Sequence, residues 1–270
     1  MADMDEPADS IRRVLQITDC HLYQDGDGEL LGANTLACLR EVLEAACCQP
    51  HPLDALVVTG DLAHDCVAPT YHILGRELAD RAPLTAALPG NHDDPEVMRS
   101  VLPQYGVGVC ERLRLDPWQL ILLDSHIPDE EGGHLAAEEL ERLETLLADG
   151  PEFSLIFVHH HPVPVGSEWI DAIGLANGDQ LLALAERHPG VRGIVWGHVH
   201  QAWEGEHAGT RLLATPSTCI QFLPEQPDFA LDMKPPGWRE FELHPDGRFT
   251  TRVRHLDDLP PGVVPNTTGY

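Results

Sequence analysis

The sequence contains very little positive charge. Of its 270 residues, 17 are lysine or arginine and 44 are aspartate or glutamate, which gives a formal net charge of −27, and Lys234 is the only lysine. A protein that follows a polynucleotide backbone or an anionic membrane needs a basic surface to neutralise phosphate groups. The composition therefore argues against a nuclease, and against any partner that is a nucleic acid polymer or a membrane.

Long apolar runs are also absent. No stretch approaches the roughly 20 apolar residues that a membrane-spanning helix requires, and residues 1–10 are acidic without the apolar segment of a signal peptide. We therefore expect a cytoplasmic protein. The seven cysteines are odd in number and lack paired spacing, which indicates reduced thiols rather than a disulfide framework.

Two common catalytic loops are missing from the sequence. It contains neither a Gly-x-x-x-x-Gly-Lys-[Ser/Thr] phosphate-binding loop nor a Gly-x-Ser-x-Gly turn. Nucleotide triphosphate hydrolysis of the P-loop type and serine-esterase chemistry therefore have no support.

The excess of acidic residues favours a salt-adapted cytoplasm, where an acidic surface keeps a protein soluble. An arginine-biased genome with ordinary acidic helices is the alternative explanation.

One pattern recurs along the chain: an apolar, strand-like run stops at residues that bind metals or move protons. The five ends are Asp19-Cys20-His21, Gly60-Asp61, Gly90-Asn91-His92-Asp93, His159-His160-His161-Pro162 and Gly197-His198-Val199-His200. In open α/β sheets, ligands bind beyond the carboxyl ends of the strands. We therefore expect the five ends to converge on one site.

The side chains at these ends supply oxygen and nitrogen ligands without a thiolate. The set is too large for one tetrahedral zinc site, and it favours Fe, Mn or Co in higher coordination, with Zn as an alternative. Two ions that share a bridging carboxylate would use it fully. Because side chains alternate along a strand, Cys20 points away from Asp19 and His21 and is predicted to be a core residue.

These motifs, in this order, resemble the signature of the calcineurin-like metallophosphoesterase superfamily. Within the superfamily the chain is most similar to the bacterial class III cyclic nucleotide phosphodiesterases, the cyclic AMP phosphodiesterases of the cpdA type. The narrower resemblance also rests on Trp169-Ile170-Asp171, Gly174-Leu175-Ala176-Asn177 and the segment from Thr215 to Phe222. The similarity extends over residues 12 to 255.

The resemblance implies a dinuclear metal site. It assigns Asp19, His21 and His200 to the first ion, Asn91, His160 and His198 to the second, and Asp61 to a bridging position. His160 is chosen from the three histidines because the family ligand usually stands two residues before a proline, and a ligand one position away is the alternative. His92 matches the family's proton donor. The substrate is expected to contact His21, Asp61, Asn91, His92 and His200.

The implied reaction is the hydrolysis of 3′,5′-cyclic AMP to 5′-AMP. A hydroxide that bridges the metals would attack the phosphorus, and His92 would act as general acid toward the ribose oxygen. Another small phosphodiester or phosphomonoester is the alternative substrate, and a non-catalytic scaffold of the same fold is a third hypothesis. The selectivity between cyclic AMP and cyclic GMP stays open, and a homodimer is one oligomeric state that the sequence allows.

The roles of two further groups of residues stay open. Many relatives carry an aspartate three residues after the bridging aspartate, where this sequence has His64 followed by Asp65. Either Asp65 or Asp93 orients His92, or neither does. The segment Trp169–Asn177 either holds the base or ribose of the substrate or serves packing alone.

Strands that alternate with amphipathic helices and then form hairpins predict a four-layer α/β/β/α sandwich, two mixed sheets flanked by helices. Helices are predicted at residues 36–46, 71–79, 136–147 and 180–187, and antiparallel strands at residues 112–115, 119–124, 203–206, 211–213, 240–243 and 249–254. We predict one domain at residues 12–258, between an acidic tail at residues 1–11 and a Pro- and Gly-containing tail at residues 259–270.

Overall fold

Two six-stranded mixed β-sheets form the centre of the fold, in a computed structural model that describes residues 11–48 and 51–264. The strands in chain order are β1 (Arg12–Ile17), β2 (Glu29–Leu30), β3 (Ala33–Asn34), β4 (Ala55–Thr59), β5 (Leu84–Leu88), β6 (Val107–Val109), β7 (Arg112–Leu115), β8 (Trp118–Leu122), β9 (Phe153–Phe157), β10 (Val191–Trp196), β11 (Trp203–His207), β12 (Thr210–Ala214), β13 (Gln221–Phe222), β14 (Leu231–Asp232), β15 (Gly237–Leu243) and β16 (Phe249–His255). The helices are α1 (Thr35–Cys47), α2 (Ala68–Leu78), α3 (Pro95–Val101), α4 (Ala137–Ala148), α5 (Glu168–Asp171) and α6 (Gly178–Arg187), and a 3₁₀ turn covers Leu102–Tyr105.

Each large sheet has a parallel part, with antiparallel strands at one edge of the first sheet and at both edges of the second. The first has the order β16-β15-β1-β4-β5-β6, in which β1, β4, β5 and β6 are parallel and β15 pairs antiparallel with β1 and β16. The second has the order β11-β12-β10-β9-β8-β7, with β7 and β11 antiparallel to their neighbours. Two short hairpins, β2-β3 and β13-β14, lie outside these sheets.

Three groups of buried apolar residues account for the layers. The group between the two sheets includes Val14, Val57, Trp118, Leu155 and Phe241. The group between the first sheet and α1 and α2 includes Leu39, Val58 and Leu74, and the group between the second sheet and α4 and α6 includes Leu143, Ile156 and Leu184. Both sheets are therefore covered on two faces, which explains why β4, β8 and β9 are buried at every position. The predicted α/β/β/α sandwich is confirmed.

The four predicted helices are α1, α2, α4 and α6, with bounds that differ from the prediction by at most three residues. The predicted late hairpins are β11-β12 and β15-β16, and the strands at residues 112–115 and 119–124 pair as β7-β8. The helix α3 was not predicted, although it begins with a cap in which the Asp94 carboxylate accepts from the amides of Glu96 and Val97. No helix within the described ranges combines the length and apolar character that a membrane crossing requires.

The predicted single domain at residues 12–258 contains both large sheets in full. Most of the predicted tails falls outside the part of the chain that the structure describes, which leaves out residues 1–10 and 265–270. Cys20 is fully buried in the core beside α1, as the alternation of side chains predicted.

Candidate metal centre

The loops that follow β1, β4, β5, β9 and β10 meet at one edge of the two sheets. The Asp19 amide donates to the Gly60 carbonyl at 2.9 Å, and the His21 amide donates to the Asp61 carbonyl at 2.8 Å, so the first two loops run side by side. The His198 amide donates to both carboxylate oxygens of Asp19 at 3.1 Å, which brings in the last loop from the second sheet. The strand ends converge because the strands that precede them are parallel neighbours.

Five of the predicted site residues have a left-handed backbone. They are Asp19, His21, Asp61, His198 and His200, with φ between 45° and 64°. This conformation is unfavourable for residues other than glycine and is found disproportionately at functional sites. The two sheets and their hydrogen bonds hold the backbone in it, so the side chains are fixed before any ligand binds.

Asp19, His21 and His200 form a first buried cluster. The His200 Nδ1–H donates to the Ile220 carbonyl at 2.8 Å, so Nε2 carries the lone pair of the neutral ring. That nitrogen lies 3.3 Å from Asp19 Oδ1 and 3.3 Å from His21 Nε2. Lone pairs and a carboxylate thus converge on one point, which is the donor set of a cation site.

His159 lies in the second cluster, one position before the predicted ligand His160. The His159 Nδ1–H donates to the Thr59 carbonyl at 2.8 Å, and Nε2 lies 3.4 Å from Asp61 Oδ2 and 3.2 Å from Asn91 Oδ1. Nε2 and the amide oxygen therefore face each other, as they would around a shared cation.

Both ring nitrogens of His160 have protein partners. Nε2–H donates to the Glu131 carbonyl at 3.2 Å, so Nδ1 is the acceptor of a 2.8 Å hydrogen bond from the Ser125 hydroxyl. No lone pair is left for a metal, although the ring still lies close to those of His159 and His198. The contact with His160 gives Ser125 a place beside the site.

The remaining ligands predicted for the second ion lie in the same cluster. His198 donates from Nε2 to the Ile173 carbonyl at 3.2 Å, which leaves its Nδ1 lone pair for a cation. The His161 ring stacks on that of His198, with 5.6 Å between the ring centroids, and its Nε2 lies 3.4 Å from Asp171 Oδ1.

Asp61 belongs to both clusters, since its Oδ2 is 3.7 Å from His21 Nε2 and 3.4 Å from His159 Nε2.

The ionisation states suit a cation site. Burial lowers the pKa of His21 and His198 well below the ordinary value, so both imidazoles are neutral. Burial opposes the charge on Asp61, but nearby His159 and His92 outweigh it and hold the pKa of that carboxyl well below its usual range. Burial also opposes a charge on His159, but the Asp61 carboxylate outweighs it and raises the pKa of His159 to about 9. A proton on His159 thus occupies the electrostatic place of a cation.

His92 lines a cavity of about 310 Å³ above this centre. Its amide donates to Asp61 Oδ1 at 2.9 Å, and its ring lies 5.1 Å from the ring of His21 and 5.0 Å, stacked, from that of His64. The side chain is half-buried and so can meet a substrate. This placement agrees with a proton donor beside a phosphate site.

The carboxylates considered as partners of His92 have other contacts. Asp65 accepts from the Gln24 amide at 2.8 Å and from the Thr70 hydroxyl at 2.6 Å. Asp93 accepts from the amides of Leu62, Ala63 and Gly90 and from the Tyr71 hydroxyl. Asp93 therefore joins the Asp61 loop to the Asn91 loop, and Asp65 holds the loop in front of α2.

The segment Trp169–Asn177 divides into two roles. Trp169 lines the cavity. Asp171 instead accepts from the amides of Val165 and Gly166, and Asn177 pairs with the backbone of Leu135. Asp171 and Asn177 thus stabilise loops, and only Trp169 of these three is placed to meet a substrate.

Thr18 was not predicted to take part in the site. Its hydroxyl donates to Asp19 Oδ2 at 2.7 Å and orients that carboxylate.

Comparison with known proteins places this centre in a family. Residues 12–202 match the model of the calcineurin-like phosphoesterase family. The chain is 43% identical over 249 residues to the 3′,5′-cyclic adenosine monophosphate phosphodiesterase CpdA of Escherichia coli K12, covering 91% of this chain and 90% of the relative. It is 37% identical over 259 residues to the protein of that name from Pseudomonas aeruginosa, covering 95% and 94%.

Solved structures agree at the level of the fold. A dimetal phosphatase from Danio rerio superposes with a TM-score of 0.68 at 15% identity, covering 94% of this chain and 99% of the other. The family match extends over most of the chain and contains every one of the five strand-end motifs. The protein therefore belongs to the calcineurin-like phosphoesterase family.

Proposed function

We propose that the protein hydrolyses 3′,5′-cyclic AMP to 5′-AMP in a metal-dependent reaction. The observation that carries the proposal is the position of Asp61, whose carboxylate is shared by two buried ligand clusters at the base of a cavity. A shared carboxylate between two ion sites is suited to phosphoester hydrolysis. The choice of substrate is supported by the relatives, which are called cyclic AMP phosphodiesterases and are aligned over about nine tenths of both chains.

The ligand set that we propose differs from the expected set at one position. Asp19, His21 and His200 would hold the first ion, and Asn91, His159 and His198 the second, with Asp61 between them. We prefer His159 to His160 because Nε2 of His159 faces Asn91 and Asp61, whereas the ring nitrogens of His160 are both engaged. Oxygen and neutral imidazole ligands fit iron and manganese, which we propose as the metals, and they also accept cobalt or zinc.

Two bound cations would supply a water of lowered pKa as nucleophile and neutralise the charge of the phosphate. The chain's own residues do the rest. Opening the cyclic diester releases a ribose alkoxide, which is a poor leaving group and needs a proton. His92 borders the cavity beside Asp61 and can donate that proton from its imidazolium form. Asp93 keeps the loops of Asp61 and Asn91 in register while this occurs.

A product assay tests the proposal most directly. The purified protein, supplied with Mn²⁺ or Fe²⁺, is incubated with cyclic AMP, cyclic GMP, a glycerophosphodiester and a phosphomonoester, and the products are separated by chromatography. We expect 5′-AMP from cyclic AMP and loss of activity after chelation. Faster turnover of the glycerophosphodiester or of the monoester would overturn the choice of substrate, and the absence of any metal-dependent hydrolysis would favour the non-catalytic scaffold.

The role of His92 is tested with two leaving groups. His92→Ala should retain both metals but lose roughly 10²–10⁴-fold in turnover of cyclic AMP, the usual contribution of a positioned general acid. A nitrophenyl phosphodiester releases a phenolate that needs little protonation, so its turnover should fall far less. Equal losses on both substrates would make His92 a phosphate-positioning residue, and loss of metal would make it a ligand.

The proposed substrate, cyclic AMP, is a small molecule. Because cyclic AMP serves as an intracellular signal, the proposed function places the enzyme in the cytoplasm.

A further inference from the structure

The cavity above the metal centre is lined by two unlike groups of residues. The polar group is Asp61, His64, Asn91, His92, Glu131 and His198. The apolar group consists of Leu30, Leu31, Trp169, Ile170 and Ile173. All five wall residues belong to or pack against the apolar group that lies between the second sheet and its helices. We call them the apolar wall.

Leu31 occupies an unfavourable backbone position in this wall. It stands with Gly32 in the turn between β2 and β3, where Leu31 has φ 49° and Gly32 has φ 87°. A two-residue hairpin turn of this kind strongly prefers asparagine, aspartate or glycine at both positions. A leucine is retained here at an energetic cost, and its side chain lines the cavity. Strain at such a position points to a function for the side chain that causes it.

Trp169 is held in place by other aromatic rings. Its indole packs edge-on against Phe222 at 5.1 Å and Phe229 at 5.5 Å, and Phe222 stacks on His200 at 4.0 Å with an interplanar angle of 5°. The indole N–H is buried and has no hydrogen-bond partner among the described residues. The wall is therefore tied to a proposed metal ligand through one ring.

We propose that the apolar wall binds the purine base of the cyclic nucleotide. The inference rests on the proposed function and adds to it the means by which the nucleotide is recognised. The phosphate must lie against the polar lining beside the proposed ligands, and the base is the flat, largely apolar part of the substrate that can cover the apolar wall. An aromatic ring and branched apolar side chains suit the faces of a purine.

The experiment compares two inhibitors that differ only in the base. 5′-AMP and ribose 5-phosphate are tested as competitive inhibitors of the metal-loaded enzyme acting on methyl nitrophenyl phosphate. Base–aromatic stacking is typically worth ~1–3 kcal/mol, so 5′-AMP should bind about tenfold more tightly than ribose 5-phosphate in the unmodified enzyme. Turnover of cyclic AMP is measured on the same preparations.

Three variants locate the effect. Trp169→Ala should reduce the preference for 5′-AMP toward one, with little change in the inhibition by ribose 5-phosphate. Leu31→Asn should act in the same direction while suiting the turn better, and it keeps the test valid if Trp169→Ala fails to fold. Trp203→Ala is the matched control, since Trp203 packs against Trp196 at 5.5 Å and does not line the cavity; it should retain the preference.

Equal inhibition by the two compounds in the unmodified enzyme would overturn the inference, as would a preference that survives both Trp169→Ala and Leu31→Asn. Either result leaves the proposed function standing if cyclic AMP is still hydrolysed. An unmodified enzyme that does not hydrolyse cyclic AMP would instead overturn the proposed function, and the inference would fail with it.

Discussion

Neighbouring histidines in one run give the sharpest test of the metal centre. His159 and His160 are both fully buried, adjacent in sequence and chemically identical, yet their ring nitrogens have different surroundings. The first presents Nε2 to Asp61 and Asn91, whereas the second is hydrogen-bonded at both nitrogens to Ser125 and the Glu131 carbonyl. Replacing each with alanine therefore removes a similar volume but different chemistry.

The expected magnitudes separate the two variants. Residues that support a ligand without binding the metal typically change metal affinity or activity by ~10–100-fold, and His160→Ala should fall in or below this range. His159→Ala removes a ligand outright and should weaken the second ion by more than ~100-fold, so that one metal rather than two survives dialysis.

The assay is metal content by mass spectrometry after dialysis, followed by titration with Mn²⁺ and turnover of cyclic AMP at saturating metal. Thermal unfolding of both variants controls for misfolding, because His159→Ala also removes the donor to the Thr59 carbonyl. A His160→Ala protein that loses the second ion, beside a His159→Ala protein that keeps it, would refute the reasoning. The ligand would then be the residue two positions before Pro162, as the family spacing suggests.

Three further predictions follow from the same contacts. Asp61→Ala should lose both metals and nearly all activity, whereas His200→Ala should weaken mainly one ion, as metal analysis would show; two tightly held metals after Asp61→Ala would contradict the bridging role. Burial lowers the pKa of His159, but the Asp61 carboxylate outweighs burial and raises that pKa to about 9 in the metal-free protein. A metal ion that binds His159 below this pH must displace the proton. Calorimetry should therefore show that metal binding releases a proton and that the affinity for the metal rises as the pH approaches 9. Because salt screens the repulsion expected from a net charge of −27, the melting temperature should rise as monovalent salt is added, and a flat or falling curve would favour the genomic explanation of the composition.

The layers and the centre could be predicted from the sequence because both depend on patterns that repeat. Apolar runs that end in Asp, Asn or His mark the carboxyl ends of strands, and parallel strands bring such ends to one edge. The helices α1, α2, α4 and α6 each have an apolar stripe of helical period. These signals are local, and the packing of the sheets then fixes their arrangement in space.

The apolar wall could not be predicted in this way. Its residues come from the two-residue strand β2, the turn after it, the four-residue helix α5 and the loop that follows α5, and segments this short have no period to detect. The Leu31-Gly32 turn also lacks the Asn-Gly or Asp-Gly pair that marks a tight hairpin. Trp169 stood out as an aromatic residue between two motifs, but only the folded chain shows it beside the cavity.

The sequence alone could not decide between His159 and His160 for a more specific reason. Side-chain alternation predicts direction only within a strand, and β9 ends at Phe157, before the histidines begin. Beyond that point the direction of each ring is set by contacts with other loops, such as the Thr59 carbonyl for His159 and the Ser125 hydroxyl for His160. Spacing relative to Pro162 carries no information about those contacts.

The same contacts explain why glycine precedes three of the five ligand groups. Gly60 has φ 93°, and a Cβ there would meet the ring of His159. A Cβ at Gly90 would meet the Asp61 carboxylate, and one at Gly197 would meet Thr18 and Asp19. Each glycine therefore gives room to a ligand, or to the hydroxyl that orients one, from a different strand. The centre is compact because the loops can approach one another without side chains between them, and this approach lets one carboxylate, that of Asp61, lie against both clusters.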